Sequence, residues 1–302
     1  MINELKSLAE SKGDRLAVVS IERLTHLQAE LAEFRATKQL NDYQKWIFDE
    51  IYRFGPIPPQ MKSIIIVAVP RPLYARVTFS LDGKEYKAFA PVFVPAEKTD
   101  EYIERAVKNA GYGIEKATRL PLKRLAVQSG LAEYGRNNIA YVSGMGSALS
   151  LRAFLTEMPC DEDIWRGPVV SPKCDTCGIC VRKCPTGALS PDDFLSDGQK
   201  CLTALQQSED HFPEWLPHTA HHTHYYCLMC QARCPLNVNQ KTIEASFNHQ
   251  ETQRLLAGLP YDDVTGELKE KIDMLGFGAY KTVPRNLRAL FDAMDKGHVP
   301  IL

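Results

Sequence analysis

Residues 174 to 185 read Cys-Asp-Thr-Cys-Gly-Ile-Cys-Val-Arg-Lys-Cys-Pro, a run of four cysteines that ends in a proline. The spacing C-x-x-C-x-x-C-x-x-x-C-P is that of bacterial ferredoxins, whose cysteine thiolates hold 4Fe–4S clusters. A second, incomplete copy follows, in which Cys227, Cys230 and Cys234 precede Pro235. Together the two copies predict two clusters, and they indicate a chain that transfers electrons.

The spacing also predicts which cysteines share a cluster. In two-cluster ferredoxins the first three cysteines of a run hold one cluster, and the fourth, before the proline, holds the other. Cluster one is therefore expected on four thiolates: Cys174, Cys177, Cys180 and Cys234. Cluster two is expected on three: Cys184, Cys227 and Cys230.

The fourth ligand of cluster two is missing from the second copy, where position 224 holds His224 instead of cysteine. Two residues could complete the cluster. Cys201, in the loop that joins the copies, could fold back, or His224 could bind, since imidazole replaces thiolate in some clusters. Cys201 is favoured because low-potential clusters are mostly held by thiolates alone. Cys160 is then left over, as a small buried hydrophobic residue.

Zinc is the main alternative for these cysteines, because C-x-x-C pairs also bind that ion. The full spacing, with a proline after the fourth cysteine, favours iron–sulfur clusters over zinc. Disulfides are not expected, since no secretory signal is visible and such spacing in an intracellular chain indicates metal binding.

The composition is that of a globular protein outside the membrane. The chain has 302 residues, 44% of them hydrophobic, and a formal net charge of −1. Its longest apolar run, residues 64–69, is far too short to cross a bilayer. The N-terminus has neither a hydrophobic signal core nor a twin-arginine pair, so we expect a cytoplasmic location and no membrane partner. The composition does not indicate the overall basic surface expected of an RNA-binding protein, although a local basic patch could lie within a neutral total.

Local patterns predict a mixed α/β (α+β) domain over residues 1–165. Helices are expected at 21–34, 42–54, 99–110 and 122–129, with Thr99 as a cap. Strands are expected at 64–69, 76–81, 84–89 and 139–142, with Asp82–Gly83 as a hairpin turn. Glycines after residue 142 predict a turn and then a further helix up to about residue 158.

The rest of the chain divides into two segments. Residues 166–242 are expected to form a ferredoxin-like double-cluster domain. Residues 243–302 carry helical patterns at 243–256, 268–275 and 284–294, and this C-terminal helical segment is too short for a core of its own. We therefore expect it to pack back on the remainder.

The loop within residues 121–158 is rich in glycine and in hydrogen-bond donors. The positive-φ freedom of glycine allows close backbone approach to a ligand. Four parts of this stretch match a sequence pattern shared by a known group of proteins: Ala126-Val127, Gly130-Leu131, Gly135-Arg136-Asn137 and Gly146-Ser147. With the cysteine runs that follow, the phrase Cys201-Leu-Thr included, this stretch resembles the cobalamin-dependent iron–sulfur reductases, which comprise epoxyqueuosine reductase and the reductive dehalogenases. The resemblance covers about residues 60 to 240.

The resemblance implies a nitroreductase-like N-terminal domain that holds cobalamin beside the clusters. Electrons would then pass through the clusters, from a donor such as a ferredoxin or flavodoxin, to the cobalt. We expect the following residues to bind the cobalamin: Gly130, Tyr134, Gly135, Arg136, Asn137, Asn138, Gly146 and Ser147.

The sequence departs from the epoxyqueuosine reductase pattern in two respects. An acidic proton donor is expected just before helix 122–129, but no carboxylate follows Glu115 there. A helical C-terminal extension that grips tRNA is not recognised either. Tyr134 as proton donor and Arg119 as anion-stabilising cation are the candidate catalytic residues. These departures predict a small-molecule substrate in preference to tRNA.

Five histidines crowd the loop before Cys227: His211, His218, His221, His222 and His224. They could contact a corrinoid, relay protons or, in the case of His224, bind a cluster, or they could simply line a polar loop.

Three functions follow from the sequence. The first is a cytoplasmic reductase that passes electrons through two clusters to cobalamin and then to an unidentified substrate. The second is an epoxyqueuosine reductase that acts on tRNA. The third is a ferredoxin-type electron-transfer protein without a corrinoid.

Overall fold

The structure is a computed structural model that describes residues 1–237, 240–258, 260–277 and 281–302. The helices are α1 (Ile2–Ser11), α2 (Glu22–Thr37), α3 (Asp42–Trp46), α4 (Glu97–Asn109), α5 (Leu122–Gln128), α6 (Ile179–Lys183), α7 (Leu202–Gln207), α8 (Met229–Ala232), α9 (His249–Ala257), α10 (Gly266–Leu275) and α11 (Val283–Asp295). The strands are β1 (Arg15–Ser20), β2 (Ser63–Pro70), β3 (Tyr74–Leu81), β4 (Lys84–Ala90), β5 (Ile114–Ala117), β6 (Glu133–Tyr134), β7 (Ala140–Tyr141), β8 (Leu149–Thr156) and β9 (Thr242–Phe247). The mixed α/β character expected from the sequence is confirmed.

The chain forms two compact units, each built from two segments. The first unit consists of Met1–Pro70 and Pro95–Cys177, and the second of Arg71–Val94 and Gly178–Leu302. The β3–β4 hairpin thus belongs with the C-terminal half, although the sequence places it inside the N-terminal domain. The domain boundaries predicted at residues 165 and 242 separate the chain by expected function, and they stay a prediction. Its middle segment includes residues 238 and 239, and its last segment 259 and 278–280, which lie outside the described residues.

The first unit is built on an antiparallel sheet of four strands in the order β1-β2-β8-β5. Strand β2 is central and buried on both faces, as its continuous run of β-branched residues predicts. Helices α1 and α4 cover one face, where Leu5 and Ile103 pack with Ile65 and Phe154. Helix α5 contacts β2 and β8. A separate pair of short strands, β6 and β7, frames the loop that contains Arg136.

The second unit has a three-stranded sheet in the order β4-β3-β9, in which β3 pairs antiparallel with β4 and parallel with β9. Asp82 and Gly83 form the predicted hairpin turn, with φ values of +48° and +78°. Helices α9, α10 and α11 pack on the sheet through apolar side chains. The rings of Phe79 and Phe247 stack at the centre of this core, with 5.3 Å between centroids.

Three local predictions are wrong. Residues 243–256 do not form one helix, because the first part alternates and pairs with β3 as strand β9, and α9 starts only at His249. The helix expected before residue 158 is strand β8, where pairing with both β2 and β5 overrides a leucine- and alanine-rich sequence. Thr99 does not cap α4, since it lies inside the helix and donates its hydroxyl to Asp14.

The other predicted helices and strands are present with shifted ends, whereas α1, β1 and β5 had no predicted counterpart. The helix expected at 42–54 is shorter, because α3 passes into a π-helical turn at Ile47–Ile51. Among the described residues, no helix is both long and apolar enough to cross a membrane.

Candidate functional site

Cys227 in the second unit has three other cysteine thiols near it. Burial raises the pKa of the Cys227 thiol well above its ordinary value, and the neighbouring thiols of Cys230, Cys201 and Cys184 raise it further. These are the four cysteines that the sequence assigns to cluster two when Cys201 supplies the fourth thiolate. Positive charge such as that of iron would stabilise the thiolate form of a thiol in such surroundings.

The described residues contain no group of three or more His, Cys, Asp and Glu side chains that converges on a point suited to a single metal ion. A 4Fe–4S cluster makes a different demand. Its four ligands bind four separate irons, so the thiols surround a volume instead of meeting at a point.

Secondary structure and side chains hold the Cys227 loop in place. Cys201 directly precedes α7, and the hydroxyl of Thr203 in that helix accepts a hydrogen bond from the Cys227 N–H at 2.9 Å. Cys184 follows α6, and Cys230 lies on α8. Helices α6 and α8 pack against each other. The two copies of the cysteine motif therefore place their helices side by side.

His224, the alternative fourth ligand, is engaged elsewhere. Its ring is buried and stacks on Phe277 with 3.7 Å between centroids and 5° between planes. Its Nε2 atom lies 3.1 Å from the carbonyl oxygen of Leu275. Burial lowers the pKa of His224 to about 3, so the ring is neutral at physiological pH. The ring thus serves the core of the second unit.

The His222 ring holds the backbone of the cysteine loop through two contacts. Its Nδ1 lies 2.8 Å from the Ala220 carbonyl oxygen, and its Nε2 lies 3.2 Å from the backbone nitrogen of Leu228. A carbonyl can only accept and an amide N–H can only donate, so the ring carries its proton on Nδ1. Leu228 stands between Cys227 and Cys230, and the ring therefore fixes the backbone that holds two predicted ligands.

The remaining histidines of the loop divide by exposure. His211 and His218 are exposed, whereas His221 is buried and packs edge-on against Phe212. Burial lowers the pKa of His221 to about 4. Roles for these histidines in corrinoid contact or proton relay stay predictions.

Cys160 packs at the edge of the first unit's core and is only partly buried, whereas a buried position was expected. Its Sγ atom lies 3.4 Å from the carbonyl oxygen of Glu162, and burial raises its pKa. Cys174 and Cys177 also belong to the first unit, and Cys180 and Cys234 to the second.

The glycine-rich loop of the first unit is held by its own side chains. A Cβ atom on Gly135 would lie 2.5 Å from the Tyr141 ring and 2.6 Å from Asn137 Oδ1, so only glycine fits there. Asn137 donates to the Tyr141 hydroxyl at 2.9 Å. Lys123 donates to the carbonyl oxygen of Asn138, whose φ is +59°. These polar groups shape the loop, and direct cofactor contacts by them stay a prediction.

Arg136 reaches a cysteine. Its backbone N–H donates to the Sγ atom of Cys174 at 3.4 Å, and its Nε donates to the Cys174 carbonyl oxygen at 3.4 Å. The sequence assigned Arg136 to cobalamin, whereas the geometry gives it a contact with a predicted ligand of cluster one.

The other assigned positions of the loop occupy its turns. Gly130 and Gly146 both have positive φ, and Ser147 is buried. The Gly130 carbonyl oxygen accepts a hydrogen bond from Arg166. Gly144, also at positive φ, has open space where a side chain would stand. Close backbone approach by a ligand is therefore possible at Gly144.

The two candidate catalytic residues have different surroundings. Tyr134 is 5% exposed, and burial raises the pKa of its hydroxyl, while nearby Arg124 acts in the opposite direction. Arg119 is exposed on a turn with φ of +59°. The cation beside the Tyr134 hydroxyl is therefore Arg124.

A polar network near Tyr134 joins α2 to α5, and no sequence pattern predicts it. Glu30 on α2 accepts hydrogen bonds from Arg124 and Gln128 on α5. Tyr52 completes the surroundings, and its pKa is raised by burial and lowered by Arg124. The spacing of four between Arg124 and Gln128 marks one helical face, but the partner on α2 lies far away in the sequence.

The chain is similar to known proteins both in its cysteine segment and along most of its length. The family model described as a 4Fe-4S double cluster binding domain matches residues 173–237. The epoxyqueuosine reductase of Lactococcus garvieae is 32% identical over 267 residues, which cover 81% of this chain and 73% of that protein. The chain belongs to the epoxyqueuosine reductase family. Its two cysteine runs therefore form a domain for two 4Fe–4S clusters, as predicted.

Other members of the family match over shorter stretches. The epoxyqueuosine reductase of Listeria monocytogenes is 30% identical over 113 residues, which cover 37% of this chain and 28% of that protein. The match thus spans less than a third of that relative. A crystal structure of an epoxyqueuosine reductase with an epoxyqueuosine-modified tRNA stem loop has a TM-score of 0.63 and 19% identity, and covers 97% of this chain and 81% of that one. It shares the fold.

These relatives correct the expectation about the substrate. A small molecule was preferred over tRNA because of the near-neutral charge, the missing acidic residue and the missing extension. That preference is wrong, since the relatives are epoxyqueuosine reductases and one neighbour holds a modified tRNA stem loop. Net charge was a poor guide, because nucleic acid responds to local charge on one surface and not to the total.

Proposed function

We propose that this chain reduces epoxyqueuosine in tRNA, with electrons supplied through two 4Fe–4S clusters. The proposal is supported by membership of the epoxyqueuosine reductase family and by the double cluster binding domain. The observation that carries the redox part is the pair of cysteine runs within residues 173–237, the range that the 4Fe-4S double cluster binding domain matches. Reduction of an epoxide consumes two electrons and two protons, and a 4Fe–4S cluster passes one electron at a time. Two clusters suit such stepwise delivery.

The ligands follow from the motif spacing and the contacts of the second unit. Cluster two would be held by Cys184, Cys201, Cys227 and Cys230, with Thr203 and His222 fixing the loop. Cluster one would be held by Cys174, Cys177, Cys180 and Cys234. The Arg136 N–H would then donate to a ligand sulfur of cluster one, which is the kind of outer contact that tunes such centres.

The cofactor next to the clusters would be cobalamin, as the resemblance implies. When bound, it would supply a strongly reducing cobalt centre, and the protein would supply binding and orientation. In the first unit, the glycine best suited to close approach by a large planar ligand is Gly144, because it is exposed and has open space where a side chain would stand. This unit, with its β1-β2-β8-β5 sheet, would correspond to the nitroreductase-like domain.

The proton donor would be Tyr134. Burial raises the pKa of its hydroxyl, so the group remains protonated at neutral pH and can give a proton only to a strongly basic atom formed during the reaction. Arg124 beside it would stabilise the phenolate left behind. Tyr134 would thus take the place of the carboxylate expected in the family. Arg119 is exposed on its turn, so it would act only on a charged group that reaches the surface.

The test is conversion of an anticodon stem loop that carries epoxyqueuosine. The protein would be reconstituted anaerobically with iron, sulfide and hydroxocobalamin, reduced with photoreduced deazaflavin, and the nucleosides analysed by mass spectrometry. We expect loss of the epoxide with the wild type and with Cys160→Ser, and no conversion with Cys201→Ser.

Absence of conversion by a protein that holds both clusters and cobalamin would refute the proposal. If the protein takes up electrons and yet retains no cobalamin through gel filtration, the electron-transfer protein without a corrinoid becomes the better description.

A further inference from the structure

Three exposed cations stand beside predicted cluster ligands in the second unit. Arg182 and Lys183 lie on α6, directly before Cys184, and Arg233 follows α8, directly before Cys234. Both copies of the motif thus carry a cation at the same place, one residue before the proline-linked cysteine. The two helices pack against each other, so these positions belong to one local surface. We call Arg182, Lys183 and Arg233 the basic patch.

The sequence on either side of the basic patch is poor in carboxylates. Residues 176–191 include Arg182 and Lys183 but no Asp or Glu, and residues 215–243 include Arg233 and Lys241 but no Asp or Glu. The chain as a whole has a net charge of −1. The two segments that directly flank Cys184 and Cys234 are therefore basic, whereas Asp175 and the acidic residues around Cys201 lie outside them.

One member of the basic patch is directed over a cysteine loop. A Cβ atom added to Gly178 would lie 2.9 Å from Nη1 of Arg182, so the guanidinium folds back toward the turn between Cys177 and Cys180. Gly178 has φ of +59°, as the turn into α6 requires. The charge is thus held close to the metal-binding backbone while the residue stays exposed.

We propose that the basic patch is the docking surface for a small acidic electron-transfer protein, such as a flavodoxin or an acidic ferredoxin. This inference rests on the proposed function for its redox context. Positive charge next to the clusters would attract the negative face of the donor and orient it, which raises the association rate. In the complex, the donor's reduced flavin or cluster would lose one electron and a cluster of this chain would gain it. No bond is made and no proton is transferred.

The adjacency to the cysteines favours an electron donor over tRNA as the occupant. A donor needs only a short distance to a cluster, and weak redox complexes use small interfaces. A tRNA substrate must instead reach the site of epoxide reduction. The basic patch is defined by its position beside the cluster ligands, which is what a donor requires.

The experiment measures electron uptake without substrate. Reduced flavodoxin is mixed anaerobically with the oxidised, cluster-loaded protein, and cluster bleaching is followed by stopped flow at several salt concentrations. The test variant is Arg182→Glu/Lys183→Glu/Arg233→Glu. Its matched control, with the same change of charge at exposed positions elsewhere, is Lys12→Glu/Lys87→Glu/Lys296→Glu.

At low salt we expect the second-order rate constant of the test variant to fall about tenfold or more, and that of the control to stay within about twofold of wild type. The wild-type advantage should disappear at high salt, because screening removes the attraction. Reduction by photoreduced deazaflavin, a small neutral reductant, should be equally fast in all three proteins.

Three results would overturn the inference. The first is an unchanged flavodoxin rate in the test variant. The second is equal slowing with deazaflavin together with shifted midpoint potentials, which would mean that the cations only offset the charge of the clusters. The third is loss of tRNA stem-loop affinity with the flavodoxin rate unchanged, which would make the basic patch an RNA contact.

If the test variant loses iron, the milder Arg182→Gln/Lys183→Gln/Arg233→Gln would be measured with the same criteria. Failure to convert epoxyqueuosine would refute the proposed substrate and leave this inference standing, because electron uptake is measured without it.

Discussion

The backbone N–H of Arg136 donates a hydrogen bond to the sulfur of Cys174, and the guanidinium of the same residue contacts the carbonyl oxygen of that cysteine. One residue thus joins the glycine-rich loop to the start of the first cysteine run. Reduction of a cluster adds negative charge, and a cation or an N–H donor near the sulfur stabilises that charge.

Replacement of Arg136 by glutamine should therefore lower the midpoint potential of one cluster. The backbone N–H remains, so the shift reports the guanidinium alone. Redox titration followed by EPR would measure both clusters separately, with Arg105→Gln, an exposed arginine on α4, as the matched control. An unchanged potential, equal to that of the control, would show that the contact is only structural.

Cys201→Ser should lower the iron content from about eight to about four atoms per chain, because cluster two would lose a thiolate. The signal of the other cluster should persist in the EPR spectrum. Cys160→Ser, which removes the ninth cysteine, should leave the iron content unchanged. His224→Ala should also keep both clusters, although loss of the stacked ring should lower the thermal midpoint. Iron loss in His224→Ala but not in Cys201→Ser would move the ligand assignment to the histidine.

The buried histidines predict that the fold loses stability in mild acid. Burial lowers the pKa of His222 to about 4, below its ordinary value of 6.5. Between these values the unfolded chain binds a proton that the folded chain does not, so stability is complete above pH 6.5 and is lost as the pH falls toward 4. Each such ring contributes a slope of about 1.4 kcal/mol per pH unit in this window.

His222→Gln should make the thermal midpoint less dependent on pH in that range, as measured by circular dichroism. His211→Gln, at an exposed position, should keep the wild-type slope. Equal slopes in wild type and His222→Gln would mean that the His222 ring is protonated alike in the folded and unfolded states.

Tyr134→Phe should slow epoxide reduction by about 100-fold or more if the hydroxyl gives the proton, since general acids contribute about that much. The phenyl ring retains the packing, so cluster content and tRNA affinity should not change. Single-turnover rates measured as a function of pH would separate this effect from impaired binding. A rate within about twofold of wild type would exclude Tyr134 as the proton donor.

Local chemistry made part of the fold predictable. The run of isoleucine and valine predicts strand β2, and Asp82–Gly83 predicts the turn between β3 and β4. Both features are predictable because each depends on only a few neighbouring residues. Strand β9 could not be identified in this way. Its partner β3 is distant in the sequence, and Ile243 begins a pattern that suits a helix as well.

The candidate site likewise has a part that local sequence predicts and a part that depends on distant residues. Spacing alone grouped Cys184, Cys227 and Cys230, and a preference for thiolate added Cys201. The contact of Arg136 with Cys174 could not be foreseen, because the family pattern assigned that arginine to a cofactor. The role of His222 depends on two backbone partners, and no sequence pattern encodes those.

The parallel pairing of β3 with β9 has a consequence for how the protein is made. Arg76 and Glu244, which face each other across this pairing, are 168 residues apart in the chain. During translation the hairpin of β3 and β4 emerges early, but its open edge has no partner until β9 follows. Every cysteine assigned to a cluster is synthesised within that interval. When strand β9 pairs with β3, the segment between them already contains all the predicted cluster ligands. Cluster insertion before this pairing would therefore take place while the second unit is still incompletely folded.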